Sequence, residues 1–448
     1  MGNCRSVVFL SKLLIFIKIC LKTVTSLENQ KLLMILLDGF RWDYLNQPDL
    51  HLPGFQRIRE MGVKADYLKP VYPSSSYPNY YSLATGLYVE SHGMIGNYMY
   101  DSERNESFII GTNPDQFNAH WWDEAEPIWV SAEKQDKKCY MYFWPGCEVT
   151  IRKTNPTHCR PYSGPPSMDD YKRAVSDVLR KFQSDEADLG GIYFEKFDIL
   201  GHNYGPLSLH VNQAIKDFDG EMVRLTDDLK RMGLKDKVNV IIFSDHGMTK
   251  MTNRILIDVR KVISRYDYIA MMDHGPISSL WPKAGREREV SEGFSKNFHP
   301  KMHVYLKENL PERFNYKNNR LVAPITMMAD RPYYIITVIR KIDFRPKLGA
   351  HGYDNNDADM RGIFMGFGPS YRANERVDGF ENVDVYQMMV RILGILPQPH
   401  NGTWSKVENM FTEQIPLPVS TASGIFGSIF SSLVCVILSI RWKFSSRG

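Results

Sequence analysis

Two short apolar runs constrain this chain more than any other feature. "LLMILL" (32–37) contains no polar residue, and "VNVIIF" (238–243) is nearly as apolar. A strand with one wet face alternates apolar and polar side chains. A run that does not alternate is covered on both faces, as in a parallel sheet between helices. "GIFMGFG" (362–368) reads as a third such strand. Between the runs, apolar residues recur every three or four positions. Tyr171, Val175, Val178 and Phe182 do so, as do Val211, Ile215, Phe218, Met222, Leu225 and Leu229. These are helices with one buried stripe. Strands alternating with helices predict an α/β domain built on a mostly parallel sheet. Ligands of such a domain lie at the carboxyl ends of its strands. Residues 252–345 are less regular and read as an insertion.

The ends read as targeting segments. Residues 1–26 have Arg5, an apolar stretch and Val24-Thr25-Ser26, the pattern of a signal peptide. "MGNCRS" also fits a myristoylation pattern with Cys4 open to palmitate, but a lipidated cytosolic protein needs no apolar stretch behind it. At the other end, 424–440 is apolar and Arg441-Trp442-Lys443 follows. Small residues at 420–424 precede it, so it reads as a GPI signal with its anchor on Ser420, or as a short membrane span. Both place the domain at 27–412 outside the cell, on a stalk at 413–423. Asn105-Glu-Ser107 and Asn401-Gly-Thr403 are glycosylation acceptors. Of the six cysteines, Cys139, Cys147 and Cys159 lie in the domain. Cys147–Cys159 closes a short loop, which leaves Cys139 reduced or bridging two chains of a homodimer. The net charge is only +4 with no basic block, which argues against a nucleic-acid partner.

The polar residues that follow the strands form a constellation. Asp38 ends the first run, and Asp245-His246 ends the second. "FDILGH" supplies Asp198 and His202 four residues apart, and "GAHGYD" supplies His351 between small neighbours. Carboxylate plus imidazole suits zinc. Six such ligands are too many for one tetrahedral site and about right for two. Two metals are a recurrent device for phosphoryl transfer. Singly, each has a bland alternative: Asp38-Gly39 as a turn, Asp198 and His202 as a surface helix pair, His351 as a loop residue. The serines of "YPSSSYPNYY" (72–81) read as a turn, with no G-x-S-x-G elbow to activate one of them.

"LLDGFRWDYL", "SSYPNYYSLATGLYVESHGMIGN", "FDILGHNYGP", "VIIFSDHGMT" and "GAHGYDN", in that order, resemble the ectonucleotide pyrophosphatase/phosphodiesterases of the alkaline phosphatase superfamily. The resemblance covers roughly residues 30–412. It implies an alkaline phosphatase-like sandwich and two zinc ions. Asp198, His202 and His351 would hold one, and Asp38, Asp245 and His246 the other. Ser76 would be the zinc-activated nucleophile and Asn97 a donor to a phosphate oxygen. "PNYYSLATG", "MYFWPGCEV" and "AVSD" are similar to the family's choline-specific glycerophosphodiesterase branch. That implies hydrolysis of glycerophosphocholine and lysophosphatidylcholine to phosphocholine. Tyr193, with Tyr77 and Trp144, would then cage the choline, and Glu148 would add a carboxylate. The alternatives are a nucleotide pyrophosphatase on the same fold and a surface binding protein that has lost catalysis. The latter predicts a missing metal ligand, and all six are present. A sulfatase needs C/S-x-P-x-R, and "SYPNY" lacks the arginine.

Overall fold

The computed structural model describes residues 30–412 apart from 112–113, 252–254, 297–298 and 338–346. The segments read as leader (1–26), stalk (413–423, with Ser420) and tail (424–448) lie outside the described residues.

The main sheet has eight strands: β1 (Lys31–Leu37), β2 (Gly62–Ala65), β3 (Cys139–Tyr142), β4 (His158–Arg160), β5 (Leu189–Phe194), β6 (Val238–Phe243), β7 (Phe364–Phe367) and β8 (Glu375–Val377). Their order is β8-β2-β7-β6-β1-β5-β3-β4. β1 and β6 are central and buried at every position, as their unbroken apolar sequences require. Neighbours are parallel except at β7, which runs against β6 and β2. The third apolar run is therefore a reversed strand. Its pattern reports burial on both faces, which a strand of either direction needs in a covered sheet.

Helices flank the sheet, among them α1 (Pro53–Met61), α2 (Ser76–Thr85), α3 (Met168–Gln183), α4 (Lys196–Tyr204), α5 (Leu209–Arg231) and α6 (Val385–Leu393). α1, α3 and α5 share one layer through Phe55, Tyr171 and Phe218. α2 and α6 pack together in the other. The result is an alkaline phosphatase-like sandwich. Ser167 and Asp170 close a capping box at the start of α3, satisfying donors that its first turn leaves open.

The irregular stretch is an insertion with its own sheet. Tyr268–Met272, Ile277–Pro282, Ile325–Ala329 and Met302–Leu306 pair antiparallel in that order. They cover a separate core that includes Leu280, Phe294, Met302 and Met327. The turn of the first hairpin points back to the carboxyl edge of the main sheet.

Candidate active site

Register brings the polar residues together. Leu36 lies opposite Phe243, so Asp38 and Asp245-His246 leave the sheet side by side. Leu37 lies opposite Phe194, so β5 delivers Glu195 to the same edge and Asp198 within the first turn of α4. His202 follows Asp198 by one helical turn on the same face. His351 follows a two-residue strand, Gly349–Ala350, paired with Thr249–Lys250. Gly39 makes the close approach feasible. It has a φ of 66°, and a Cβ there would stand 2.9 Å from Asp198 Cα.

One device orients all three histidines. Nδ1 donates to Gly349 O from His202 (2.9 Å), to Gly247 O from His246 (2.8 Å) and to Ser74 O from His351 (3.1 Å). A carbonyl only accepts, so the proton sits on Nδ1 and Nε2 keeps its lone pair. Those lone pairs face carboxylate oxygens. His202 and His351 Nε2 lie 3.4 Å from Asp198 Oδ1. His246 Nε2 lies 3.1 Å from Asp245 Oδ2 and 3.5 Å from Asp38 Oδ1. These three oxygens are buried and accept no hydrogen bond.

Lone pairs facing lone pairs need a positive charge between them. Burial works against a proton on the rings, pushing His202 and His246 down to about 3 and His351 well below its ordinary value. Burial also raises Asp198 to about 7, and burial plus the charge of Asp198 raises Asp38 to about 8. Asp245 is pushed up by burial and by Asp38. Metal cations satisfy both sets at once, so the residues present fit them. Asp198, His202 and His351 offer atoms within 4.8 Å of one another, and so do Asp38, Asp198 and His246. Asp198 thus reaches both groups, and Asp245 joins the second through His246.

Ser76 opens α2, with its Oγ 3.3 Å from His246 Nε2. The helix N-terminus favours negative charge there. Of the neighbouring serines, Ser74 is fully buried and donates to Tyr353 O, whereas Ser75 lines the cavity. Asn97 accepts the Tyr77 N–H at 2.9 Å through Oδ1, which leaves its NH2 to donate into the cavity it lines.

The cavity in front of these residues has about 400 Å³. Tyr77, Tyr80, Tyr162, Tyr193 and Glu195 form one wall. Tyr162 donates to Glu195 at 2.6 Å. The Tyr193 hydroxyl lies 3.3 Å from the same carboxylate and also donates to Asp38 Oδ2, as does Tyr80. Two expected wall residues are elsewhere. Trp144 is buried in the core between Trp129 and Phe243, because its strand end turns inward, and Pro145 lines the cavity instead. Glu148 sits outside the lining, its Oε2 buried without a partner. The wall's carboxylate is Glu195, which a reading of the strand ends could have found: it follows β5 as Asp38 follows β1. Tyr162 and Tyr80 carry no such signal.

Cys147–Cys159 forms the expected disulfide. Cys139 is fully buried, so it does not reach a second chain. Asn105 and Asn401 are exposed. Among the described residues no helix is long and apolar enough to cross a membrane.

Residues 32–354 match the family described as type I phosphodiesterase / nucleotide pyrophosphatase. The chain belongs to this family. It is 36% identical to human ectonucleotide pyrophosphatase/phosphodiesterase family member 5, over 91% of this chain and 84% of that protein. It is 35% identical to the bis(5'-adenosyl)-triphosphatase of Xenopus laevis, over 98% of this chain and 95% of that one. A solved structure of an inactive variant of murine ectonucleotide pyrophosphatase/phosphodiesterase 5 in complex with AMP superposes with a TM-score of 0.79 at 35% identity, covering 86% of this chain and 100% of that one. The protein is thus a phosphodiesterase/pyrophosphatase-type hydrolase. These relatives are named for nucleotide chemistry, and the choline-ester reading does not follow from them.

Proposed function

We propose that the protein is a two-zinc phosphodiesterase of the cell exterior that hydrolyses choline phosphodiesters. Its substrates are glycerophosphocholine and lysophosphatidylcholine, and its products are phosphocholine plus glycerol or monoacylglycerol. The observation behind this reading is the wall of Tyr77, Tyr162 and Tyr193 around the Glu195 carboxylate. A trimethylammonium group offers no hydrogen-bond donor. It is held by ring faces and a nearby negative charge, which this wall supplies.

Asp198, His202 and His351 would hold one zinc, and Asp38, Asp245 and His246 the other. Bound zinc neutralises the phosphate and lowers the pKa of the serine hydroxyl and of water. Ser76 Oγ attacks phosphorus, the bond to the glycerol oxygen breaks, and that oxygen leaves with a proton. Asn97 and the start of α2 stabilise the charge on the phosphoryl oxygens. Water then cleaves the serine ester and frees phosphocholine. The unpartnered oxygens of Asp38, Asp198 and Asp245 support the metal assignment.

A second reading, a nucleotide pyrophosphatase, is favoured by the names of the relatives and by the AMP in the murine structure. A panel of glycerophosphocholine, lysophosphatidylcholine, ATP and diadenosine triphosphate on purified ectodomain separates the two. Faster turnover of the nucleotides would sink the choline reading. Full choline-ester activity in Ser76→Ala would sink the mechanism. Release of the protein from cells by a phosphatidylinositol-specific phospholipase C tests the anchor on Ser420. Retention would favour a membrane span.

A further inference from the structure

The cavity has a second wall, built by the insertion. The hairpin turn between Tyr268–Met272 and Ile277–Pro282 places Asp273 and Pro276 on the lining. Asn97 stands between the two walls. Its Oδ1 holds the Tyr77 N–H on the first side. On the second, the preceding Gly96 abuts the turn, and a Cβ there would stand 3.2 Å from Asp273 Oδ2. Pro276 reaches the other flank of the centre, 3.5 Å from a Cβ placed on Gly352, next to His351. The carboxyl of Asp273 accepts the backbone N–H groups of Tyr98 and His274, which fixes it at the cavity edge. The backbone there is left-handed, with a φ of 64°. Asp273 plays no part in the metal centre or the serine chemistry.

A phosphodiester has two arms. With the choline arm on the tyrosine wall, the other arm meets this turn. We propose that Asp273 marks a leaving-arm subsite, one that accepts a hydrogen bond from a free hydroxyl of an uncharged alcohol such as glycerol and disfavours a second anionic group. The proposal rests on the choline reading for which arm lies where. The carboxyl provides acceptor oxygens beside the phosphate-binding Asn97. Burial pushes this carboxyl up to about 8, so above that pH a second phosphate in the same position would meet either repulsion or the uptake of a proton.

The test holds the choline arm constant and varies the other. Glycerophosphocholine, propyl phosphocholine and p-nitrophenyl phosphocholine present a hydroxylated, an apolar and an aromatic leaving arm. CDP-choline presents an anionic one. In Asp273→Asn, and in Asp273→Ser as a second variant that keeps an acceptor for the turn, kcat/KM is measured on each in the zinc-loaded enzyme. Measured at pH 9, where Asp273 is ionised, the preference for the glycerol over the propyl ester should fall at least about tenfold, the loss expected of a hydrogen bond to a charged acceptor. The p-nitrophenyl ester, which has no hydroxyl to lose, should change less than about twofold, and CDP-choline should gain, because both variants remove the carboxylate that its second phosphate would face. An unchanged glycerol-to-propyl ratio overturns the subsite. So does a parallel loss on every ester, which would make Asp273 a purely structural residue. Failure of the choline reading shows separately, as wild-type enzyme that turns over nucleotides faster than any choline ester. The glycerol-to-propyl ratio is then read on the head group the enzyme takes.

Discussion

Tyr193 has two jobs in this geometry, and a single atom separates them. Its ring faces the cavity, where a choline head would sit, while its hydroxyl donates to Asp38 Oδ2. Tyr80 donates to the same oxygen, and the two phenol oxygens lie 2.9 Å apart. Both hydroxyls therefore hold Asp38 so that Oδ1 faces His246 Nε2 at 3.5 Å. Tyr193→Phe removes the clamp and keeps the ring. A hydrogen bond to a charged acceptor is worth about 1.5–3 kcal/mol, and partners that orient metal ligands typically carry about 10–100-fold in metal affinity. Tyr80 still holds the oxygen in the single variant, so its loss should sit at the low end, about tenfold in zinc affinity. Tyr80→Phe with Tyr193→Phe should lose about a hundredfold. Competition against a chromophoric chelator reads zinc affinity without turnover. A tenfold weaker site also loses about 1.4 kcal/mol of zinc-linked stabilisation, visible as a smaller rise in melting temperature on adding metal. With zinc saturating, Tyr193→Phe should keep the KM for glycerophosphocholine. Tyr193→Ala should raise it much more than the KM for a p-nitrophenyl ester lacking choline. Wild-type zinc affinity in Tyr193→Phe together with a raised choline KM would refute the reasoning, because the hydroxyl would then serve the substrate and not Asp38.

The other predictions concern charge, the disulfide and the Asp38 turn. Burial pushes Glu195 up to about 7, so in the free enzyme its attraction for a cation is present above that pH and is lost as the pH falls through it. The KM for choline esters should rise as the pH drops from 8 to 6, and Glu195→Gln should raise KM at pH 8 and flatten that rise; a slope unchanged in the variant assigns the titration to another group. Cys147→Ser with Cys159→Ser opens a loop of sequence separation 12, a loss of about 3 kcal/mol on the chain-entropy account, read by denaturant unfolding. Gly39→Ala should abolish tight zinc binding while the protein still folds, since its Cβ would press on Asp198, and normal metal content in that variant would contradict the close approach.

Much of this architecture is legible in the amino-acid sequence, and the reasons are physical. The covered strands leave no freedom in reading: a six-residue apolar run cannot face water, and the residues just after it must lie at the sheet's carboxyl edge. That logic locates Asp38, Asp245 and His246. The helical spacing of Asp198 and His202 locates two more. Strand direction is not legible, because β7 is as apolar as its parallel neighbours and apolarity reports only cover. The insertion is visible as irregularity, but nothing in its sequence says that Asp273 reaches across to Gly96. Such a contact depends on how two separate cores dock.

The cage shows where sequence reasoning runs out. Tyr193 stands out because it lies near a metal ligand in the chain, and Trp144 because tryptophan suits a cation. The first inference uses position and the second uses residue type. Side chains alternate along β5, so Tyr193 and Glu195 emerge on one face while Phe194 packs inward. Trp144 has no such placement, and a large apolar ring at a strand end is more readily buried than displayed. The same alternation brings Glu195 out beside Tyr193 on the cavity wall, three residues before Asp198. Glu195 Oε1 accepts from Tyr162, whereas Asp38 Oδ1, Asp198 Oδ1 and Asp245 Oδ2 have no hydrogen-bond partner. Within one cluster of acids, hydrogen-bond satisfaction therefore separates the oxygens that a metal would satisfy from the carboxylate that Tyr162 already engages.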